Sequence, residues 1–270
     1  MPKPLTAISY GGGVQSTAML VLANQGKLGY DVDVAVFANV GERSEHPDTL
    51  TYVREWAAKE SAIPVVEIER RNRAGEKVDL RAQLERPDYR YVEIPVYLRG
   101  GGPAKRACTG HWKIEPIGKY LKSRGASAEN PATVCIGIST DEIHRVNRKK
   151  AKPYENPVYP LIELGYDRSR CVELIQEAGW PNPGKSSCYF CPFHRPQQWA
   201  EMRRDEPELF ASVVELEQSL LDKRERIQGE RDGYLTRFGK PISDAIPEAQ
   251  DTLPLFGGEW DTCDEGACWT

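Results

Sequence analysis

Along the first half of the chain, short apolar runs alternate with stretches in which apolar residues recur every three or four positions. "LTAISY" (5–10) reads as a strand, and "VQSTAMLVLANQG" (14–26) as a helix that stops at Gly26. "VDVAVFANV" (32–40) is apolar almost throughout, the pattern of a parallel strand buried on both faces. "HPDTLTYVREWAAKESA" (46–62) reads as a helix, with Pro47 suited to its first turn and Asp48 favourable there. "IPVVEIE" (63–69) and "TVCIGIS" (133–139) read as the third and fourth strands. Such alternation predicts an α/β fold: a doubly wound, mainly parallel sheet that binds ligands at the carboxyl ends of its strands.

Between the third and fourth strands, residues 70–107 are polar and glycine-rich, the composition of a mobile loop or lid. After residue 150 the pattern becomes helical. "YDRSRCVELIQEAG" places Cys171, Leu174, Ile175 and Ala178 on one face, and residues 195–228 read as two helices broken near Pro207. The expected division is a nucleotide-binding domain over 1–150 and a helical, cysteine-bearing region over 151–270, ending in an irregular tail.

Composition narrows the class. Of 270 residues, 40% are hydrophobic and 28% charged, as in ordinary globular proteins. No apolar run approaches the roughly 20 residues that span a bilayer, and the N-terminal "MPKPLTAISY" lacks a secretory h-region. Seven cysteines without an export signal favour thiols or metal ligands in a reducing, cytoplasmic setting over a disulfide framework. A net charge of −4 excludes bulk attraction to polyanions, so any nucleic-acid contact must be local. "HRVNRKKAK" (144–152), with five Lys or Arg, is one such group; "ERRNR" (69–73) is a smaller one.

"SYGGGVQST" (9–17) carries the first chemistry. A glycine turn between a strand and a helix N-terminus makes an anion site from backbone N–H groups and the helix dipole. A P-loop needs Lys-Ser/Thr after its second glycine, and Val14-Gln15-Ser16 stands there instead. The G-x-G-x-x-G dinucleotide fingerprint fails as well, for want of its third glycine. "SSCYFCPF" carries the second: Cys188 and Cys191, in C-x-x-C spacing within a Pro/Gly loop, suit a shared metal or cluster. Cys135 and Cys171 fall at core positions. Asp141 and Glu142 are adjacent carboxylates that can position Mg²⁺.

The blocks together resemble the phosphoadenosine phosphosulfate (PAPS) reductase-like family of the PP-loop superfamily. "SYGGGVQS" is similar to its S-F-S-G-G-K-D-S loop, which grips pyrophosphate or phosphosulfate without a lysine; Ser9, Gly12, Gly13 and Ser16 match, whereas Gly11, Val14 and Gln15 depart. "NVGERSEHPDT" (39–49) is similar to D-T-G…P-E-T, with Asn39 where aspartate is usual. "CTGHWKIEPI" (108–117) is similar to C-C-x-x-R-K-x-x-P-L, keeping Cys108, Lys113 and Pro116 but with Thr109 for the second cysteine. "GISTDEIHR" (137–145) is similar to G-x-R-x-x-E-S-x-x-R, keeping Gly137, Glu142 and Arg145.

The resemblance implies that Ser9, Gly11, Gly12, Gly13, Gln15, Ser16, Thr17 and Asn39 bind an adenine nucleotide, and that Lys113 and Arg145 recognise phosphate or sulfate. It implies a [4Fe–4S] cluster on Cys108, Cys188 and Cys191, with Cys268 of "EGACWT" favoured over Cys263 as fourth ligand and zinc as the alternative metal. Two chemistries follow. In the favoured one, ATP with Mg²⁺ adenylylates an acceptor, nucleic acid in preference, for sulfur transfer, as in the ATP-pyrophosphatase component of DNA phosphorothioation systems or in tRNA thiolases. A cysteine desulfurase or another sulfur donor would be the partner. In the alternative, adenylyl sulfate or its 3′-phosphorylated form is reduced to sulfite, with Cys268 as nucleophile. A third reading is a non-enzymatic, zinc-stabilised nucleotide-binding component of a modification complex.

Overall fold

The computed structural model describes residues 3–100, 102–146 and 151–247. β1 (Thr6–Tyr10) leads through the glycines into α1 (Val14–Asn24). β2 (Val34–Asn39) leads into α2 (Pro47–Thr51), which widens through a π-helical stretch (Tyr52–Ala57) and closes as α3 (Ala58–Glu60). β3 (Val65–Glu69) and α4 (Leu80–Glu85) follow. A second π-helical stretch (Thr109–Ile114) opens α5 (Glu115–Ser123), and β4 (Ala132–Ile136) precedes a 3₁₀ turn at Thr140–Arg145. Then come β5 (Glu155–Val158), α6 (Pro160–Glu163), α7 (Arg168–Glu177), α8 (Pro196–Asp205), α9 (Pro207–Gln228) and α10 (Ile242–Ala245).

The chain divides into two compact units. The first runs to Lys77 and resumes over Gly110–Ser187; the second comprises Val78–Thr109 and the chain from Cys188. The first unit holds one five-stranded sheet of order β3-β2-β1-β4-β5, every neighbouring pair parallel, so the α/β fold read from the periodicity is present. All six residues of β2 are buried, as its unbroken apolar run requires. Ile8, Tyr10, Met19, Phe37, Cys171 and Ile175 belong to one core cluster, in which the Tyr10 and Phe37 rings meet edge to face at 6.5 Å. Cys135 and Cys171 are fully buried, and burial pushes both thiols up to about 12, so neither is a thiolate.

Two features depart from the sequence reading. The sheet continues beyond residue 150: β5 pairs with β4 through Cys135 and Val158. Its "ENPV" shows no strand signal because it is a short edge strand, where half-exposed polar residues and Pro157 are tolerated. Residues 78–107 are not a lid. Leu80, Leu84, Ile94 and Val96 are buried at 2% exposure or less. Within the second unit, buried Arg81 bonds Tyr189 and Ser212, and the Lys223 ammonium donates to the Leu84 carbonyl. Gly100 and Gly102 lie near the tip of a small antiparallel ribbon, and Gly75 lies in a turn closed by the Arg71–Lys77 bridge.

In the second unit α8 and α9 separate just before Pro207, where the sequence placed the break. Glu217, 2% exposed on α9, pins the segment beyond that helix: its two carboxylate oxygens accept from Leu235 N at 2.7 Å and Ile242 N at 2.6 Å. Burial raises its pKa to about 6 against the opposing pull of those bonds. The folded state therefore binds this proton more tightly than the unfolded chain. Stability from this group is greatest below the ordinary carboxylate range and falls by about 2 kcal/mol as pH rises through 6. Urea unfolding at pH 4.5 and 7 is expected to show that fall in the wild type and to lack it in Glu217→Gln. An equal pH dependence in both proteins rules it out.

Candidate nucleotide and cysteine sites

The strand order reverses direction between β1 and β4, the position at which open parallel sheets bind ligands. The glycine turn emerges there. Gly12 has φ +74°, and a Cβ on it would lie 3.0 Å from Val53 Cγ2 and 3.1 Å from Thr49 Cγ2. A Cβ on Gly13 would come within 2.6 Å of Ser186 Oγ, whereas one on Gly11 would sit 3.9 Å away. Gly137, just past β4, abuts the start of α1: its Cβ would meet Ser16 N at 3.1 Å. Glycine is thus demanded at Gly12 by its left-handed backbone and close neighbours and favoured at Gly137 by the nearby α1 backbone; at Gly13 only the rotatable Ser186 hydroxyl crowds a side chain, and Gly11 tolerates one.

Ser16 closes the turn on itself, accepting from Gly11 N at 3.2 Å and donating to Gly13 O at 3.0 Å. No side chain caps α1, whose N-cap is Gly13, so its first N–H groups remain available to an anion. Two hydroxyls nearby in the fold, Ser9 Oγ on β1 and Ser139 Oγ after β4, are buried without a hydrogen-bond partner. Sequence matching found Ser9; Ser139 stands where the motif has its first arginine and was passed over as a departure from it.

The other expected residues have intramolecular partners. Thr17 Oγ1 lies 3.2 Å from the Tyr10 hydroxyl, in the core. Gln15 Oε1 accepts from Arg168 Nη1 at 3.2 Å, which adds a cation from α7 that the motifs did not reveal. Asn39 braces the loop after β2, accepting from Gly41 N and donating to Glu42 and Glu67, while Arg54 bridges the same two carboxylates. That guanidinium holds the Glu67 carboxyl below its usual range. Donor oxygens of Glu42, Glu67 and Glu69 lie within 4.8 Å of one another, and Arg54 and Lys77 pair with them, offsetting two of the three negative charges.

Two buried ion pairs complete the first unit's charge pattern. Lys113 Nζ lies 3.5 Å from Glu45, which is 1% exposed, and Arg145 meets Glu142 at 2.6 Å. Asp141, exposed, accepts from Arg168 N at 3.1 Å. Lys113, Arg145 and Glu142 therefore share one sheet unit with the glycine turn, as the motif blocks led one to expect. Glu45 was missed, because an acidic residue in a loop reads as solvated until its burial is known. Trp112, buried in the first unit, packs under the Arg70 guanidinium at 4.7 Å.

Cys108, Cys188 and Cys191 all belong to the second unit and are partly exposed, unlike Cys135 and Cys171. Two successive turns, Cys191 N to Cys188 O and His194 N to Cys191 O, both 3.0 Å, fold the C-x-x-C loop tightly. Tyr189 and Phe190 between the cysteines are buried and pack edge to face at 5.1 Å. Cys108 is set by the bond from its N–H to Glu93 O at 2.9 Å. Cys188 and Cys191, partly exposed on a tight turn, have the chemistry of ligands to a thiophilic metal, cluster iron or zinc alike; among the described residues the sulfurs of Cys108, Cys188 and Cys191 are not gathered within 4.8 Å of one another. Cys263, Cys268 and most of the 144–152 basic run lie outside the described residues.

Among the described residues, no helix is long and apolar enough to cross a membrane. No known family profile and no curated protein matches the chain. Solved structures similar to it include two enzymes. One is a PAPS reductase from Candida auris in a phosphate complex, 14% identical, covering 68% of this chain and 76% of its own at a TM-score of 0.45. The other is the U34-tRNA thiolase NcsA from Methanococcus maripaludis with its [4Fe–4S] cluster, 16% identical, covering 80% and 72% at a TM-score of 0.42. Likeness at these scores bears no weight on activity.

Proposed function

We propose that the chain is an ATP pyrophosphatase of the PP-loop kind that adenylylates an acceptor, nucleic acid in preference, for sulfur transfer. The observation that supports this best is the turn at the β1/β4 switch point. Gly12 and Gly13 keep the backbone bare, α1 carries no cap, and no lysine follows. A triphosphate's β and γ groups satisfy such N–H donors. An acceptor oxygen then attacks the α-phosphorus, the bond to the bridging oxygen breaks, and pyrophosphate leaves with the electron pair. A sulfur nucleophile, delivered by a desulfurase or similar donor, displaces AMP from the acceptor in a second step.

Lys113 and Arg145 are assigned to the phosphates, each oriented by its buried carboxylate, Glu45 or Glu142. Glu142 is thereby committed to Arg145, and Asp141 is the carboxylate assigned to the nucleotide's Mg²⁺. Cys108, Cys188 and Cys191, with Cys268, would hold a [4Fe–4S] cluster or zinc; a bound cluster would supply a site for sulfur. The preference over sulfonucleotide reduction rests on Val14-Gln15 in the loop, Thr109 in place of a second cysteine, and Trp269 directly after Cys268, where the reductases have glycine.

Equilibrium binding of ATP and of adenylyl sulfate to protein purified without oxygen tests the reading. ATP is expected to bind at least about tenfold more tightly, a difference of about 1.4 kcal/mol. Preference for adenylyl sulfate transfers the turn to a phosphosulfate and sinks the thiolation reading in favour of reduction.

A further inference from the structure

A two-stranded ribbon in the second unit carries a surface that the nucleotide site does not explain. Residues 93–97 run antiparallel to 103–108. Ala104 N donates to Val96 O at 2.7 Å, and Ala107 N and Cys108 N both donate to Glu93 O at 2.9 Å. The inward face is apolar, with Ile94 and Val96 buried. The opposite character appears at its ends. Tyr91, two residues before the Glu93–Cys108 link, is 70% exposed, more than any other large hydrophobic among the described residues. Its ring contacts Tyr89 edge to face at 5.7 Å, which orders it without covering it.

The segment from Arg90 to Lys105 carries exposed cations. Arg90, Arg99 and Lys105 are exposed, and none makes a close ion pair among the described residues, although the Arg99 charge acts on Asp232. Nearby acids are occupied: Asp88 pairs with Arg86, Glu93 is buried, and Asp232 pairs with Arg224 while accepting from Arg99 N. In a chain of net charge −4, three exposed cations and an exposed ring along one short segment form a local exception. A polyanion with unstacked bases fits this combination; a duplex, whose bases are not offered for stacking, does not.

We propose that this ribbon docks a single-stranded stretch of nucleic acid, Tyr91 stacking on one unpaired base and Arg90, Arg99 and Lys105 meeting phosphates. It deepens the acceptor half of the proposed function and rests on that reading. The Glu93–Cys108 link ties the stacking position to the backbone of a candidate metal ligand. A base held on Tyr91 is thereby brought to the cysteine end of the ribbon.

Fluorescence anisotropy with labelled single-stranded DNA and RNA oligonucleotides, and with a duplex of the same length, tests this on the full chain. The wild type is expected to prefer single strands. Tyr91→Ala should weaken that binding by about tenfold and Tyr91→Phe should restore it, since stacking needs the ring and not the hydroxyl. Replacing Arg90, Arg99 and Lys105 together by Gln should lower the slope of log affinity against log salt by about 2, from about 0.7 per phosphate contact on a single strand. All four positions are exposed, so thermal melting and ATP affinity should be unchanged. Absence of single-strand binding, a preference for duplex, or a Tyr91→Ala protein that binds like the wild type overturns the proposal. ATP affinity in the same preparations is an independent readout: failure of the ribbon leaves the nucleotide reading standing, and loss of ATP preference with single-strand binding retained removes the acceptor role while leaving the binding surface.

Discussion

Gly12→Ala should lower ATP affinity by about tenfold to a hundredfold, and Gly11→Ala should change it little. At Gly12 two costs coincide. With φ at +74°, an L side chain is strained by about 1–2 kcal/mol. Its Cβ would also press on Val53 and Thr49 at 3.0 and 3.1 Å, in the helical segment that follows β2. Relief requires the turn to move, and movement misaligns the N–H groups that the phosphates need; each charge-assisted bond lost is worth about 1.5–3 kcal/mol. Gly11 has neither constraint, with open space to 3.9 Å and no left-handed backbone. Calorimetric titration of both variants with ATP, beside urea unfolding, checks this. Equal affinities for the two variants would remove the turn from the nucleotide site.

Cys188→Ser and Cys191→Ser should each strip the bound metal from protein purified without oxygen, and Cys135→Ala should not. A hydroxyl is neither soft nor ionised at neutral pH, so it cannot replace a thiolate on iron or zinc. Cys135 lies in the core with its thiol pushed up to about 12, and its loss is a packing defect of the first unit. Metal content by elemental analysis, with visible absorbance separating iron–sulfur from zinc, is the measurement. Retention of full metal by Cys188→Ser and Cys191→Ser would refute the ligand assignment. Cys268→Ser adds a division between chemistries: loss of metal makes it the fourth ligand, and retained metal with lost sulfite production makes it a nucleophile.

The alternation of strands and helices was legible because periodicity is local: the all-buried β2 and the break before Pro207 each follow from a dozen residues or fewer. So was the glycine turn as a structural element, since Gly-rich backbone and a helix start suffice to name it a candidate anion site. The C-x-x-C loop was legible from spacing for the same reason. Long-range contact decided the rest. β5 exists because β4 offers it an edge, and its own composition argues against a strand. The 78–107 segment reads as a lid until Leu80, Leu84 and Val96 are seen buried, since polar composition does not report which few apolar residues find a partner. Gly13 faces Ser186, far along the sequence in the same unit, and the burial of Glu45 against Lys113 joins two segments that no local window contains. Local pattern determined which elements form and where a phosphate and a metal would be sought. Only the tertiary structure decided which charges are buried in pairs and which remain free, because burial is a property of neighbours distant in sequence.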